Sequence, residues 1–136
     1  MAEITKSPDG VSLCSLEPKA GSRIVGQAGE DIAAGDACRM NSSGVIVRSS
    51  GAAANANANV LGFALRAVVS GGDITLIAPM GDRLNYGSTL TPGAALFLSG
   101  TVAGGLADAA STGGTEPVAI ALDAKRIQLI GHGKVR

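Results

Sequence analysis

One pattern is written twice along this chain, and few folds can accommodate that. Ile32-Ala-Ala-Gly-Asp-Ala-Cys-Arg-Met40, followed by Gly44-Val-Ile-Val47, reads as a turn, a short strand, a second turn and a second strand. Leu90-Thr-Pro-Gly-Ala-Ala-Leu-Phe-Leu98, followed by Gly105-Leu-Ala107, repeats that grammar about 58 residues later. Two further matches follow in the same order. Val60-Leu-Gly-Phe-Ala-Leu65 is echoed by Pro117-Val-Ala-Ile-Ala-Leu122, and Asp73-Ile-Thr-Leu-Ile77 by Arg126-Ile-Gln-Leu-Ile130. The offset shrinks to about 57 and then about 53, as it would if loops shortened between retained strands. Residues 30–78 and 88–131 therefore read as two copies of one β unit. Two copies are too few for a solenoid, so a closed pseudo-symmetric barrel or a sandwich is the expected solution.

The individual elements follow from period-two patterning and turn chemistry. Leu61, Phe63 and Leu65 alternate with Gly62, Ala64 and Arg66, the clearest strand signature in the chain. The small residues at 62 and 64 predict close packing on the second face as well. Ala37–Met40, Ile74–Ala78, Ala95–Leu98, Val118–Leu122 and Arg126–Ile130 are further strands, and Arg23-Ile-Val25 is a lead-in strand. Asn41-Ser-Ser-Gly44 is a hairpin turn of residues that tolerate positive φ. The Ala/Asn alternation at 49–59 lacks branched side chains and predicts a loop or one short helical turn. Gly81-Asp-Arg-Leu-Asn-Tyr-Gly87 reads as the chemically most varied loop, between the two copies. Residues 1–22 have no counterpart in the duplication. Ser7-Pro-Asp-Gly10 and Glu17-Pro-Lys-Ala-Gly21 break any long element there, so this part reads as an N-terminal arm with a short strand at 11–16. Residues 132–136 are a short tail.

At 136 residues the chain is long enough for one domain with a true core. With two Phe, one Tyr and no Trp, that core is aliphatic. Eleven basic and eleven acidic side chains cancel and are scattered, which argues against nucleic-acid backbone binding and a polybasic membrane patch. No apolar run reaches the roughly 20 residues of a membrane-spanning helix, and the first residues lack the pattern of a signal peptide. Use without secretion is the expectation. Cys14 and Cys38 then read as reduced small hydrophobes.

Candidate chemistry is sparse. His132, the single histidine, lies between glycines and reads as a tail residue. No zinc-ligand spacing and no phosphate-binding glycine motif occurs in the sequence. Glu30, Asp31 and Asp36 fit no calcium-loop spacing and read as turn residues. Asn41-Ser42-Ser43 matches a glycosylation sequon but reads as turn chemistry. Asp82, Arg83 and Tyr86 are the candidate loop contact, with a surface ion pair and a loop anchor as their plainer reading. No catalytic residue, cofactor or metal site is expected, and an enzyme is not.

Ala28-Gly-Glu-Asp-Ile-Ala-Ala-Gly-Asp36, Asn59-Val-Leu-Gly-Phe-Ala-Leu65, Leu84 through Leu98, Gly105-Leu-Ala-Asp-Ala109, Pro117–Leu122 and Arg126-Ile127, in that order and spacing, resemble the small capsid decoration, or cement, proteins of tailed bacteriophages. The resemblance covers about residues 23–131. It implies an all-β, barrel-like or β-tulip-like domain with an extended arm. It also implies a homotrimer on the outer capsid surface of the virion, made in the host cytoplasm, that clamps major capsid protein subunits. Nucleic acid and membrane are not implied partners. The arm is the expected capsid contact, through Ile4, Val11, Leu13 and Leu16. Leu61, Phe63 and Leu65, or Leu96 and Leu98, compete as trimer-facing rows, against the reading that both sets fill the protomer core. The alternative function is a β-rich appendage on the virion that binds carbohydrate or a host surface, for which exposed aromatic rings would be needed.

Overall fold

The computed structural model describes residues 3–4, 6, 12–13, 23–79, 81–87 and 89–130. The described chain is all-β. Its strands are β1 (Ser12–Leu13), β2 (Arg23–Gln27), β3 (Ala37–Met40), β4 (Ile46–Arg48), β5 (Gly62–Ala64), β6 (Asp73–Ile77), β7 (Arg83–Asn85), β8 (Ala95–Leu98), β9 (Leu106–Ala107), β10 (Ala119–Ala121) and β11 (Arg126–Leu129). They form two antiparallel sheets, ordered β2-β6-β5-β3-β4 and β1-β7-β11-β10-β8-β9. The sheets do not close into a barrel, and the arrangement is that of a β sandwich. Beyond these ladders the described residues make isolated bridges, among them Ala28 with Ile46 beside the smaller sheet, and Glu3 with Ala107 and Lys6 with Gly87 beside the larger.

The strand order of the smaller sheet is reproduced in the larger one: β2, β6, β5, β3 and β4 correspond to β7, β11, β10, β8 and β9. The register agrees as well. Ala37 faces Phe63 and Cys38 faces Gly62, as Ala95 faces Ile120 and Leu96 faces Ala119. One sequence alignment needs correction. Phe63 pairs with Ile77 while Ile120 pairs with Gln128, so the last strands align with an offset of 51 positions. The slip of two residues left the face assignment intact, because side chains alternate with period two.

The packing explains how an aliphatic chain with so few rings builds a core. Ala37, Phe63 and Ile77 form a cross-strand row on one face of the smaller sheet. They share one buried cluster with Leu84, Leu96, Leu98, Ala119, Ala121, Ile127 and Leu129 of the larger sheet. The other face of the smaller sheet carries Cys38, Ile46, Ala64, Ile74 and Leu76, covered by Ala28 and Ile32 in a second cluster. The smaller sheet is thus buried on both sides. Gly62 fits the crowding: a Cβ there would lie 2.7 Å from the Ile77 carbonyl oxygen. By register, the core face of the larger sheet is equivalent to the second-cluster face of the smaller. The two units are therefore stacked back to front rather than face to face. The row equivalent to Ala37, Phe63 and Ile77 is Ala95, Ile120 and Gln128 on the outer side of the larger sheet, where Ile120 is 36% exposed.

The turns follow the sequence. Asn41 Oδ1 accepts from the Ser43 and Val45 amides, and Gly44 takes φ 83° to close the β3–β4 hairpin. The Ala/Asn stretch forms one 3-10 turn at Ala56–Ala58, capped by Asn55, whose side chain accepts from the Asn57 amide. Leu61 and Leu65, half-buried at the ends of β5, part company: Leu61 joins the second cluster and Leu65 the first.

Equivalent positions in the two units should respond unequally to truncation. Phe63→Ala should lose about 3–5 kcal/mol of stability in urea unfolding, the range for an aromatic ring removed from a closed core. Ile120→Ala should lose about 1 kcal/mol or less, because its side chain keeps access to water.

Candidate functional site

The N-terminal residues expected to reach another protein are held, where they are described, on their own domain. Glu3 bridges Ala107, and the Ile4 amide donates to the Leu106 carbonyl at 3.1 Å while its side chain packs against the first cluster. Lys6 bridges Gly87, and Leu13 in β1 lies opposite Leu84 in β7. The segment thus touches both edges of the larger sheet. Val11 and Leu16 lie outside the described residues, as do Cys14, His132 and the tail.

Polar side chains clamp the segment at two points. Lys6 Nζ pairs with the Asp36 carboxylate, which is 4% exposed. The second Asp36 oxygen accepts from the Ala33 amide at 2.8 Å. Gly104 presses against that carboxylate from the β8–β9 connection: with φ 77°, a Cβ there would lie 2.8 Å from Asp36 Cγ. Its carbonyl accepts from the Ala37 amide at 2.9 Å, tying the start of β3 to the other unit. At the second point the Glu3 carboxylate accepts from the hydroxyls of Ser99 and Thr101, at 2.7 Å from Thr101. Ser99 Oγ in turn accepts from the Thr101 and Val102 amides at 3.1 and 3.0 Å. Asp36 was legible as a turn residue, but the sequence carries no signal that Lys6 would reach it or that Glu3 would reach Ser99.

The candidate loop contact requires correction. Gly81–Gly87 is not a loop: Arg83–Asn85 is β7, the counterpart of the lead-in strand β2. Asp82 and Tyr86 flank it and are buried, Arg83 is exposed, and no Asp82–Arg83 ion pair occurs among the described residues. Tyr86 fills core volume. Its hydroxyl and Asp82 Oδ2 have no hydrogen-bond partner among the described residues, each an expense of about 1–3 kcal/mol. Burial, and then the Asp36 and Glu3 carboxylates, push the Tyr86 phenol well above its ordinary range, so it stays neutral. Tyr86 and Phe63 are enclosed and Phe97 is half-buried, which leaves no freely exposed ring for a sugar to stack on. Phe63, Leu96 and Leu98 are buried in the core of their own chain.

Two further acidic groups are engaged locally. Glu30 accepts from the Arg48 amide at 2.7 Å and guanidinium at 3.1 Å, and Asp31 accepts from the Ser70 amide. Among the described residues no group of three or more His, Cys, Asp or Glu converges on a metal position. No helix there is long and apolar enough to cross a membrane. A cleft of about 370 Å³ is lined by Arg23, Leu65, Arg66, Val68, Asp73 and Thr75.

No protein-family model and no curated protein matches this chain.

Two outcomes follow from the buried groups. Lys6→Ala would leave the enclosed Asp36 carboxylate without its counter-charge, and should lower stability by about 3 kcal/mol in urea unfolding. Burial, reinforced by Asp36, pushes the Cys38 thiol up to about 12. An unfolded thiol ionises near pH 8.5. Between about pH 8.5 and 12 the folded chain keeps a proton that the unfolded chain releases, so this contribution is full below about 8.5 and falls as pH rises. Urea midpoints followed from pH 8 to 11 should fall less steeply for Cys38→Ala than for the wild type.

Proposed function

We propose that this protein is a structural component of a virion, binding the outer surface of a tailed-phage capsid as a homotrimer and reinforcing contacts between major capsid protein subunits. The observation that carries the reading is where the family-like residues lie. Ile32–Asp36 enters β3, Asn59–Leu65 spans β5, Leu84–Leu98 runs from β7 through β8, and Pro117–Leu122 spans β10, so the resemblance falls on equivalent parts of both sheets. The polar groups support it in a second way. Glu3, Lys6, Asp36, Ser99 and Thr101 spend their hydrogen bonds on holding segments together, which suits a body whose work is mechanical. A trimer would close its own symmetry and present its contacts to the shell in threefold, so that weak contacts act together.

Co-sedimentation of the purified protein with expanded, undecorated capsids tests the reading. Saturable binding that raises the temperature of shell rupture is the expected result. Folded protein that leaves shells bare and their rupture temperature unchanged would overturn it.

A further inference from the structure

Three cations of the described chain lie against carboxylates: Lys6 against Asp36, Arg48 against Glu30 and Arg126 against Asp123. Arg23 and Arg66 have no salt-bridge partner among the described residues, yet both line one cleft of about 370 Å³. Two guanidiniums that face the same space repel each other unless an anion lies between them.

The register shows how the strands bring them together. Arg23 stands opposite Ile77 in the β2–β6 ladder, so it shares a face with Thr75, two residues earlier on β6. From the other side Phe63 stands opposite Ile77 and Ala64 opposite Leu76. Leu65 therefore leaves β5 beside Thr75, and Arg66 follows it. The arginines thus come from the two strands that flank β6, and the Thr75 hydroxyl adds a donor to the same cleft. The apolar lining is held by both cores. Leu65 packs against the first cluster and Val68 against the second. Val68 is also fixed by two backbone hydrogen bonds with Ile32, each 2.8 Å. Asp73 is the one acid of the lining among the described residues, and it is in a salt bridge with neither arginine.

We infer that this cleft binds a small oxyanion, a phosphate or carboxylate group whose oxygens accept from the Arg23 and Arg66 guanidiniums and the Thr75 hydroxyl. Guanidinium forks match the paired oxygens of both groups. A volume at the lower end of the range for ligand clefts suits a ligand of that size. The aliphatic walls thin the water around the guanidiniums and so strengthen their pull on a negative charge. The site is defined by this chain alone and does not depend on the capsid reading.

Inorganic phosphate and acetate, titrated at constant ionic strength into isotopically labelled wild-type protein, test the site. The amide resonances of Arg23, Arg66 and Thr75 should shift together along one saturation curve. Arg23→Gln and Arg66→Gln should each weaken binding about tenfold. Asp73→Asn should tighten it about threefold, because it removes the repelling charge. All three side chains are exposed, so each variant should keep the native spectrum elsewhere. Saturable binding of either anion supports the site, and the tighter of the two tells a phosphate group from a carboxylate. Shifts that do not saturate, or that are as large around Arg83 and Lys125 as in the cleft, would show general attraction to positive charge and overturn the proposal. So would saturable binding that neither arginine variant weakens. Either failure would leave the capsid reading standing, because that reading rests on the two-sheet body and not on this cleft.

Discussion

The row Ala37, Phe63 and Ile77 bears the architecture. It turns the smaller sheet into the middle layer of the molecule, buried on one side by the larger sheet and on the other by its own turns. With no tryptophan and two phenylalanines in the chain, bulk cannot come from rings, so close approach of backbones substitutes for it. Gly62, Ala64 and Ala37 permit that approach, and Phe63 fills the remaining space between the sheets. Close-packed aliphatic layers of this kind lose stability steeply when a gap is opened in them.

The back-to-front stacking also explains why the two halves of a duplicated chain diverge. In the first unit the outward row must be apolar, because the second unit covers it. In the second unit the same row is the surface, and Gln128 stands where Ile77 does. The Asp36–Gly104 contact locks the stack from the side, and the N-terminal clamp closes it from a third direction.

How far this could be read in advance depended on the range of the interactions. Strands built on local alternation, such as Gly62–Ala64 and Ala95–Leu98, and turns built on local side chains, such as Asn41–Gly44, were legible. Strand β7 was not, because Asp82 to Tyr86 mixes charged, polar and aromatic residues without clean alternation. The clue lay in the duplication: a lead-in strand before the first unit requires one before the second. The offset of the last strands went wrong by two because a period-two pattern cannot distinguish registers of the same parity. The anchoring of Glu3 and Lys6 was hidden for a different reason. Single hydrogen bonds across most of the chain leave no periodic trace, so nothing in the sequence shows that the backbones of the described arm residues Ile4 and Leu13 pair with their own domain.

The clamp imposes an order on synthesis and assembly. Glu3 meets Thr101 across a separation of 98 residues, and the Ile4 amide meets Leu106. Glu3 and Ile4 therefore leave the ribosome well before their partners, and the larger sheet cannot hold both its edges until the second unit is complete. Loop-closure entropy of that size places docking of the segment late on the folding route. Until then β7 and β9 are open edges in a crowded cell, so the interval before the segment docks is when this otherwise well-buried chain is most exposed to mispairing with its own kind.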